Sequence, residues 1–417
     1  MKKIILLLLV IGFHQSVFAK VLKVKEYGVD GSYSSISLAV SASRPQDTII
    51  LYPKKFGLPF LESNLTVPYQ IYFFNSDSSR FKFNFPVELN NCNVTNAIFS
   101  SYSVIKNATL VNCDFLEEIE IFNAKLISCI ANKRVSNSTI KSNISILGCK
   151  INEFIPSNGF NNVRLVGNKI EKIVDFNFVG DSIEIIANQF NNWNIDYNFF
   201  VFQPRIFGIM ASNVFNLAFG RGWGCNSSYF GWGDIGLATV SNNFFNFFNK
   251  SNYNSPCQEG FFSSLNNGYL VNNVIFYKDN GQFTYFSRTT LSNSSNGITK
   301  GNLLITNRNY NNYGSYWDTI GWATYENKFL GGVNSLNLDS NGIFVDSNLT
   351  VNKGVVIPQY LDVDLSVPDI GPYGGPMPIT NFLNLDAQKA KVLYLQLPQK
   401  VFSPSGSIPI RATGATK

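Results

Sequence analysis

The stretch NISILGCKI (143–151), followed by NNVRLVGNKI (161–170) and DSIEIIANQF (181–190), decides the fold. Each segment alternates apolar and polar residues, passes one small residue (Cys149, Asn168 or Asn188), and lands two positions later on Ile151, Ile170 or Phe190. Alternation reads as strand, the small residue as a tight turn, and the apolar landing as a second strand. Working outward on that turn residue aligns Cys92, Cys113, Cys129, Cys149, Asn168, Asn188, Asn213, Asn243, Asn273, Asn302 and Asn327. Their intervals run from 16 to 30 residues, the range of solenoid repeats. One coil is too thin to bury an apolar face alone, whereas coils stacked about 4.8 Å apart line equivalent side chains into continuous inner columns.

Three positions before the anchor stand Leu89, Leu110, Leu126, Ile146, Leu165, Ile185, Met210, Val240 and Leu270, with Thr299 and Thr324 departing. Two positions after it every residue is apolar, from Val94 and Phe115 to Leu304 and Phe329. In one coil Asn242 competes with Asn243 for the anchor place. The reading is an all-β, single-stranded, right-handed parallel β-helix of about eleven coils or more. A buried Asn at the turn satisfies its amide on the Asn of the next coil and on nearby backbone, so the later column becomes a hydrogen-bonded ladder. In the earlier coils Cys takes the same place as a small buried filler.

The four anchor thiols are either bridged, Cys92 to Cys113 and Cys129 to Cys149, or a stack of reduced cysteines. Cys225 and Cys257 lie off the column, and a disulfide between their two long loops is expected.

Lys2 and Lys3, the apolar run Ile4 to Phe13, and Val17-Phe18-Ala19 make residues 1–19 a signal peptide, with the mature chain starting near Lys20. A ten-residue apolar run rises only about 15 Å as a helix, half a bilayer core. The protein is therefore expected to be exported: secreted, periplasmic or on the cell surface, with no membrane span after the signal is removed. Without Lys2 and Lys3 it carries 31 basic against 27 acidic side chains, a scattered net of +4 that makes no case for nucleic acid. Residues 20–80 form an N-terminal cap and first coils, with a short helix placing Ile36, Ala39 and Val40 on one face and a strand from Thr48 to Tyr52. The solenoid covers 81–380. Residues 381–417 have no anchor, and alternating runs near Val392–Leu397 and Ser407–Ala412 read as a β-hairpin appendage.

The opening from Tyr33 to Phe56, with its Asp47-Thr48-Ile49, resembles that of right-handed parallel β-helix proteins of the pectin-lyase-like group. At the other end, DVDLSVPDIGPYGGP (362–376) resembles the closing D-x-D-x-S…D-I-G-x-Y-G-G signature of secreted β-helix proteins common in Bacteroidetes. The resemblance spans residues 20–380 and implies a fold rather than an activity. The G-H-G motif and paired aspartates of polygalacturonases are missing, as is the Asp-His signature of pectate lyases.

Chemistry is narrowed mainly by histidine. His14 is the sole one and departs with the signal, which excludes serine–histidine hydrolysis, histidine bases and histidine-bound zinc. A lyase with an Arg or Lys base, or a glycosidase with two carboxylates, stays open as an alternative. Asp181, Asp234 and Asp318 sit at similar distances before their anchors, but on coils that are not adjacent. Asp362, Asp364 and Asp369 raise calcium, against which stands a plain terminal turn. The aromatic residues give the leading reading. Trp193, Trp223, Trp232, Trp317 and Trp322 all fall in the coils with longer intervals, with Tyr310, Tyr313 and Tyr316 beside them. Long loops on a rigid solenoid build binding surfaces, and flat rings next to carboxylates suit sugars. Trp223, Trp232, Asp234, Tyr316, Trp317, Asp318 and Trp322 are the expected polysaccharide contacts, with core and loop packing as the competing role. A structural or adhesive surface protein is the third class.

Overall fold

The structure is a computed structural model describing residues 19–52, 54, 65–67, 72–75, 81–137, 142–156, 160–174, 176–195, 200–219, 229–232, 237–249, 260–263, 268–278, 298–306, 327–357, 360–383, 391–396 and 411–415. It is a parallel β-helix. A 15-stranded and a 16-stranded sheet, called the first and second sheets below, run the length of the body, and every pairing within them is parallel.

The N-terminal edge is covered as the pattern predicts. Ile36–Ala42 is a helix whose N-cap hydroxyl, Ser35 Oγ, accepts the Leu38 N–H, and it buries Ile36, Ala39 and Val40. The buried Asp47 carboxylate accepts the backbone N–H groups of Lys20 and Arg44, both at 2.7 Å, tying the helix exit to the first strand, Val21–Val24.

Two inner columns build the core. In the first sheet, Leu22, Ile49, Phe73, Val94, Leu110, Leu126, Ile146, Leu165, Ile185, Met210, Val240, Leu270 and Thr299 stand in unbroken register. In the second, Phe83, Phe99, Phe115, Ala131, Ile151, Ile170, Phe190, Phe215, Phe245, Ile275, Leu304 and Phe329 do the same. Rings stack along this second column, Phe190 on Phe215 and Phe215 on Phe245 each at 4.9 Å and nearly parallel.

These registers correct one anchor. Cys92 does not belong to the ladder column: Thr109 N–H donates to the Cys92 carbonyl and Lys125 N–H to that of Ala108, so Cys92 stacks with Ala108 and Ala124 at a different corner. Ala97 holds the place ahead of Cys113, and Val94 moves to the inner column of the first sheet. A 16-residue coil turns sharply at both corners. At each, a left-handed residue precedes a small buried one: Asn91-Cys92, Asn96-Ala97, Asn107-Ala108, Asn112-Cys113 and Asn123-Ala124. Cys92 and Cys113 therefore cannot form the pair considered above, and all four of Cys92, Cys113, Cys129 and Cys149 are buried free thiols.

A second departure is the C-terminal stretch. Residues 331–357 and 360–383 fold back along the outside of the ladder turn instead of merely closing the last coil. Val355 N–H donates to Asn272 Oδ1, Gly371 N–H to the Asn272 carbonyl, and Asn242 Nδ2 to the Asp369 carbonyl, each at 2.8 Å. Further toward the N-terminal coils, Phe382 packs so closely on Gly167 that a Cβ there would lie 2.8 Å from the ring. The strap covers a second apolar cluster, in which Ile127, Leu147, Val166, Ile186, Val214 and Phe244 from the coils meet Ile343, Phe344, Ile370 and Ile379. The C-terminal hairpin forms from Lys391–Gln396 and Arg411–Ala415, its second strand a few residues later than the alternation suggests.

Candidate functional site

The ladder is the best-defined polar feature. Asn168, Asn188, Asn213, Asn243, Asn273 and Asn302 each donate their backbone N–H and side-chain Nδ2 to the Oδ1 of the next anchor, at 2.8–3.0 Å. The last acceptor is Asn327. Each Nδ2 also donates back to the residue three before the preceding anchor, as Asn188 does to the Leu165 carbonyl at 2.8 Å. Asn243 holds the contested place, while Asn242 stands before it at φ 55° and bonds the strap. With every amide occupied internally, this column is scaffold rather than contact surface.

Two of the buried thiols are held protonated. Burial pushes the Cys92 thiol up to about 12 and raises Cys149 as well, so neither supplies a ready thiolate. Cys113 and Cys129 direct their sulfurs at the carbonyls of Val94 and Leu110, repeating the backward contact made by the asparagines.

In the strap, the signature aspartates are engaged in turn geometry. Asp362 accepts the N–H groups of Asp369 and Gly375, Asp369 accepts that of Asn352, and Asp364 accepts both the N–H and the hydroxyl of Ser366. Burial lifts the Asp362 carboxyl above the usual carboxylate range despite these donors. The Ser366 bonds hold that of Asp364 below it. Asp339 works similarly: burial opposes its ionisation, but the Tyr373 hydroxyl and the N–H groups of Ile343 and Asn341 outweigh that and hold it low. These contacts make each carboxylate a local cap.

Trp223, Asp234, Tyr316, Trp317, Asp318 and Trp322 lie outside the described residues, as do Cys225 and Cys257. What is described is the platform from which those segments leave. The first sheet widens from three-residue strands such as Lys125–Ile127 to Phe176–Ile186 and Phe200–Ala211, 11 and 12 residues long. Tyr229–Trp232 and Gly260–Ser263 pair onto the added part. Trp232 takes the register position beside Phe202, whose ring is buried, on the column begun by Phe178. Asp181, on the same widened strand, lies 3.6 Å from Arg205.

No family model, curated protein or solved structure matches the chain.

Proposed function

We propose that this protein is an exported β-helix that binds polysaccharide through the aromatic-rich loops of its later coils. One observation carries the reading: the first sheet broadens at Phe176–Ile186 and Phe200–Ala211, and Tyr229–Trp232, two residues before Asp234, pairs onto the broadened part. A broad, stacked sheet is a rigid base, and rigid bases with long insertions are where solenoids build binding surfaces. Ring faces of Trp223, Trp317 and Trp322 would stack on sugar C–H groups, and Asp234, Asp318 and Tyr316 would take the hydroxyls. Export follows from the basic, apolar and small-residue order of residues 1–19.

The mature chain, passed over a panel of neutral and acidic polysaccharides, should be retained without generating new reducing or unsaturated ends. Trp317→Ala should weaken retention by about 1–3 kcal/mol with an unchanged melting temperature. Retention by none of the polymers would overturn the reading, and new chain ends would replace it with a lyase or hydrolase.

A further inference from the structure

Away from the long loops, the outer face of the first sheet carries a second pattern. Lys125, Ser145, Arg164 and Glu184 pair in register on four successive strands. Their Cα atoms therefore rise in one column at about 4.8 Å per step. Two residues earlier in the chain, Asn123, Asn143 and Asn162 form a parallel row of linked carboxamides. Asn162 Nδ2 donates to Asn143 Oδ1 at 2.6 Å and Asn143 Nδ2 to Asn123 Oδ1 at 3.4 Å, and the row continues through Asn107 to Asn90 at 3.1 and 3.0 Å. Unlike the inner ladder, this row lies on the solvent side. A carboxamide has two N–H donors and two lone pairs, so membership in the row leaves hydrogen-bonding capacity for a ligand at each step.

The charges beside the row do not balance. Arg164 is held by Glu184, Nε to Oε2 at 2.6 Å and Nη2 to Oε1 at 3.3 Å, with the carboxylate almost wholly buried. The Lys125 ammonium, on the other side of Ser145, has no ion pair or hydrogen-bond partner among the described residues. Burial, and then the Arg164 charge, hold its ammonium below the ordinary lysine range. Between the two cations the Ser145 hydroxyl is buried with no hydrogen-bond partner. A half-buried cation facing another cation over an unused hydroxyl works against stability, and a neutral residue at 125 would remove that cost. An anion placed there would remove it too.

We propose that Lys125, Ser145 and Arg164 bind a carboxylate or sulfate carried on a polyhydroxylated chain, whose hydroxyls bond the Asn123, Asn143 and Asn162 row. The chain lies along the solenoid axis, across the strands, so that its length follows the coil repeat. The single uncompensated charge is that of Lys125, which suits one anionic group. The Ser145 hydroxyl donates to that group once the Lys125 stem swings to meet it. This site is on different coils from the aromatic loops and stands without them.

The test uses the full mature chain with hyaluronate, dextran sulfate and neutral dextran in titration calorimetry. Wild type should bind at least one polyanion, and neutral dextran roughly tenfold more weakly or worse. Lys125→Gln should lose roughly tenfold in polyanion affinity, the scale of one hydrogen bond to a charged group. Its melting temperature should be equal to or above that of wild type, and Lys125→Arg should retain binding. Lys353→Gln removes an exposed lysine of the strap and should change affinity less than about twofold, as screened surface charges do. The proposal is overturned if neither polyanion binds, if Lys125→Gln binds like wild type, or if Lys353→Gln costs as much. Loss with Trp317→Ala but not with Lys125→Gln would leave the loop reading standing and remove this site. The reverse result would support this site and remove the loops.

Discussion

The turn column of this β-helix is built from alanine and thiols before residue 150 and from carboxamides after it. Both halves use the same backbone device, a left-handed residue followed by a buried one, at Asn112-Cys113 as at Ala187-Asn188. They differ in where the asparagine stands. In the first coils it takes the left-handed place, at Asn96 and Asn112, which Asn tolerates better than most residues, while Ser128 and Gly148 hold that place before Cys129 and Cys149. In the later coils it moves inward by one residue, and Gly, Ala, Ser or Asn holds the left-handed place. The inward asparagine ties each coil to the next by two bonds into one Oδ1, whereas Cys129 meets Cys149 through an N–H to sulfur contact of 3.3 Å. The columns join where Cys149 N–H donates to Asn168 Oδ1 at 2.8 Å. Coil closure costs more entropy as coils lengthen, though slowly, and the stronger tie falls where the coils grow. One fold thus varies its coil-to-coil stitching along its axis.

The sharpest way to break that contrast is to cut one stitch in each half. Asn188→Leu strands the Asn168 N–H and Nδ2 and removes the Nδ2 bond to the Leu165 carbonyl, buried groups that each cost about 1–3 kcal/mol when unpaired, while Asn213 Oδ1 keeps the backbone N–H of residue 188. A loss above about 3 kcal/mol is expected in urea unfolding, against about 1 kcal/mol for Cys113→Ala, since Ala97 already fills the equivalent place one coil earlier. Asn348→Ala, at an exposed strap position, should stay within about 0.5 kcal/mol of wild type. Equal costs at 188 and 113 would show that the carboxamides add nothing to the stack.

Much of this was legible in the amino-acid pattern, and the misses have physical causes. From Cys113 to Asn327 the ladder residues stand where the alignment puts them, because a buried turn admits few side chains and the periodicity exposes them. Cys92 misled because a 16-residue coil repeats its left-handed-plus-small turn at more than one corner, and cysteine is more conspicuous than Ala97. Phe83, Phe99 and Phe115, each 16 residues apart, carry the true register. The strap had a signal as well. Leu126-Ile127, Ile146-Leu147, Leu165-Val166 and Ile185-Ile186 are apolar on both faces, which a sheet with one solvated face would not be. The Lys125, Ser145 and Arg164 cluster leaves no such trace, since an unbalanced cation is recognised only once its neighbours across the strands are known.

A smaller effect separates the halves through the strap, which covers the later turns. Tyr373 donates to Asp339, and the hydroxyl is pushed up to about 12, first by burial and then by that carboxylate. Asp339 titrates below its unfolded value, so its contribution is fully present above the unfolded carboxylate range and is lost as pH falls through the folded value. Tyr373→Phe should cost about 1 kcal/mol near neutral pH and lose most of that effect in acid. The protection factors of the Gly371 and Val355 amides, whose N–H groups bond Asn272, should fall on acidification, while that of the Thr109 amide, bonded to Cys92 in the early coils, stays unchanged. An equal loss of protection in both halves would deny the strap this local role.

The smallest expected effect comes from converting one half into the other. Cys149→Asn would extend the ladder by one rung, and its surroundings are already arranged for it. The Cys129 N–H that now meets sulfur would find Oδ1, and the backbone N–H of residue 149 already donates to Asn168 Oδ1. By the rule the other rungs follow, the new Nδ2 would share that Oδ1 and reach back to the Leu126 carbonyl, as Asn168 Nδ2 reaches Ile146 at 2.8 Å. Against these gains stand the larger side chain in a packed turn and the desolvation of an amide, so the net change should lie within about 1 kcal/mol of wild type. The converse, Asn188→Cys, loses Oδ1 and Nδ2 together and should cost about 2–3 kcal/mol, less than Asn188→Leu because sulfur keeps a weak contact. Urea titrations of both variants in reducing buffer decide the matter. If Cys149→Asn destabilises as strongly as Asn188→Leu, the early turns differ from the later ones in backbone geometry and not only in the side chain they enclose.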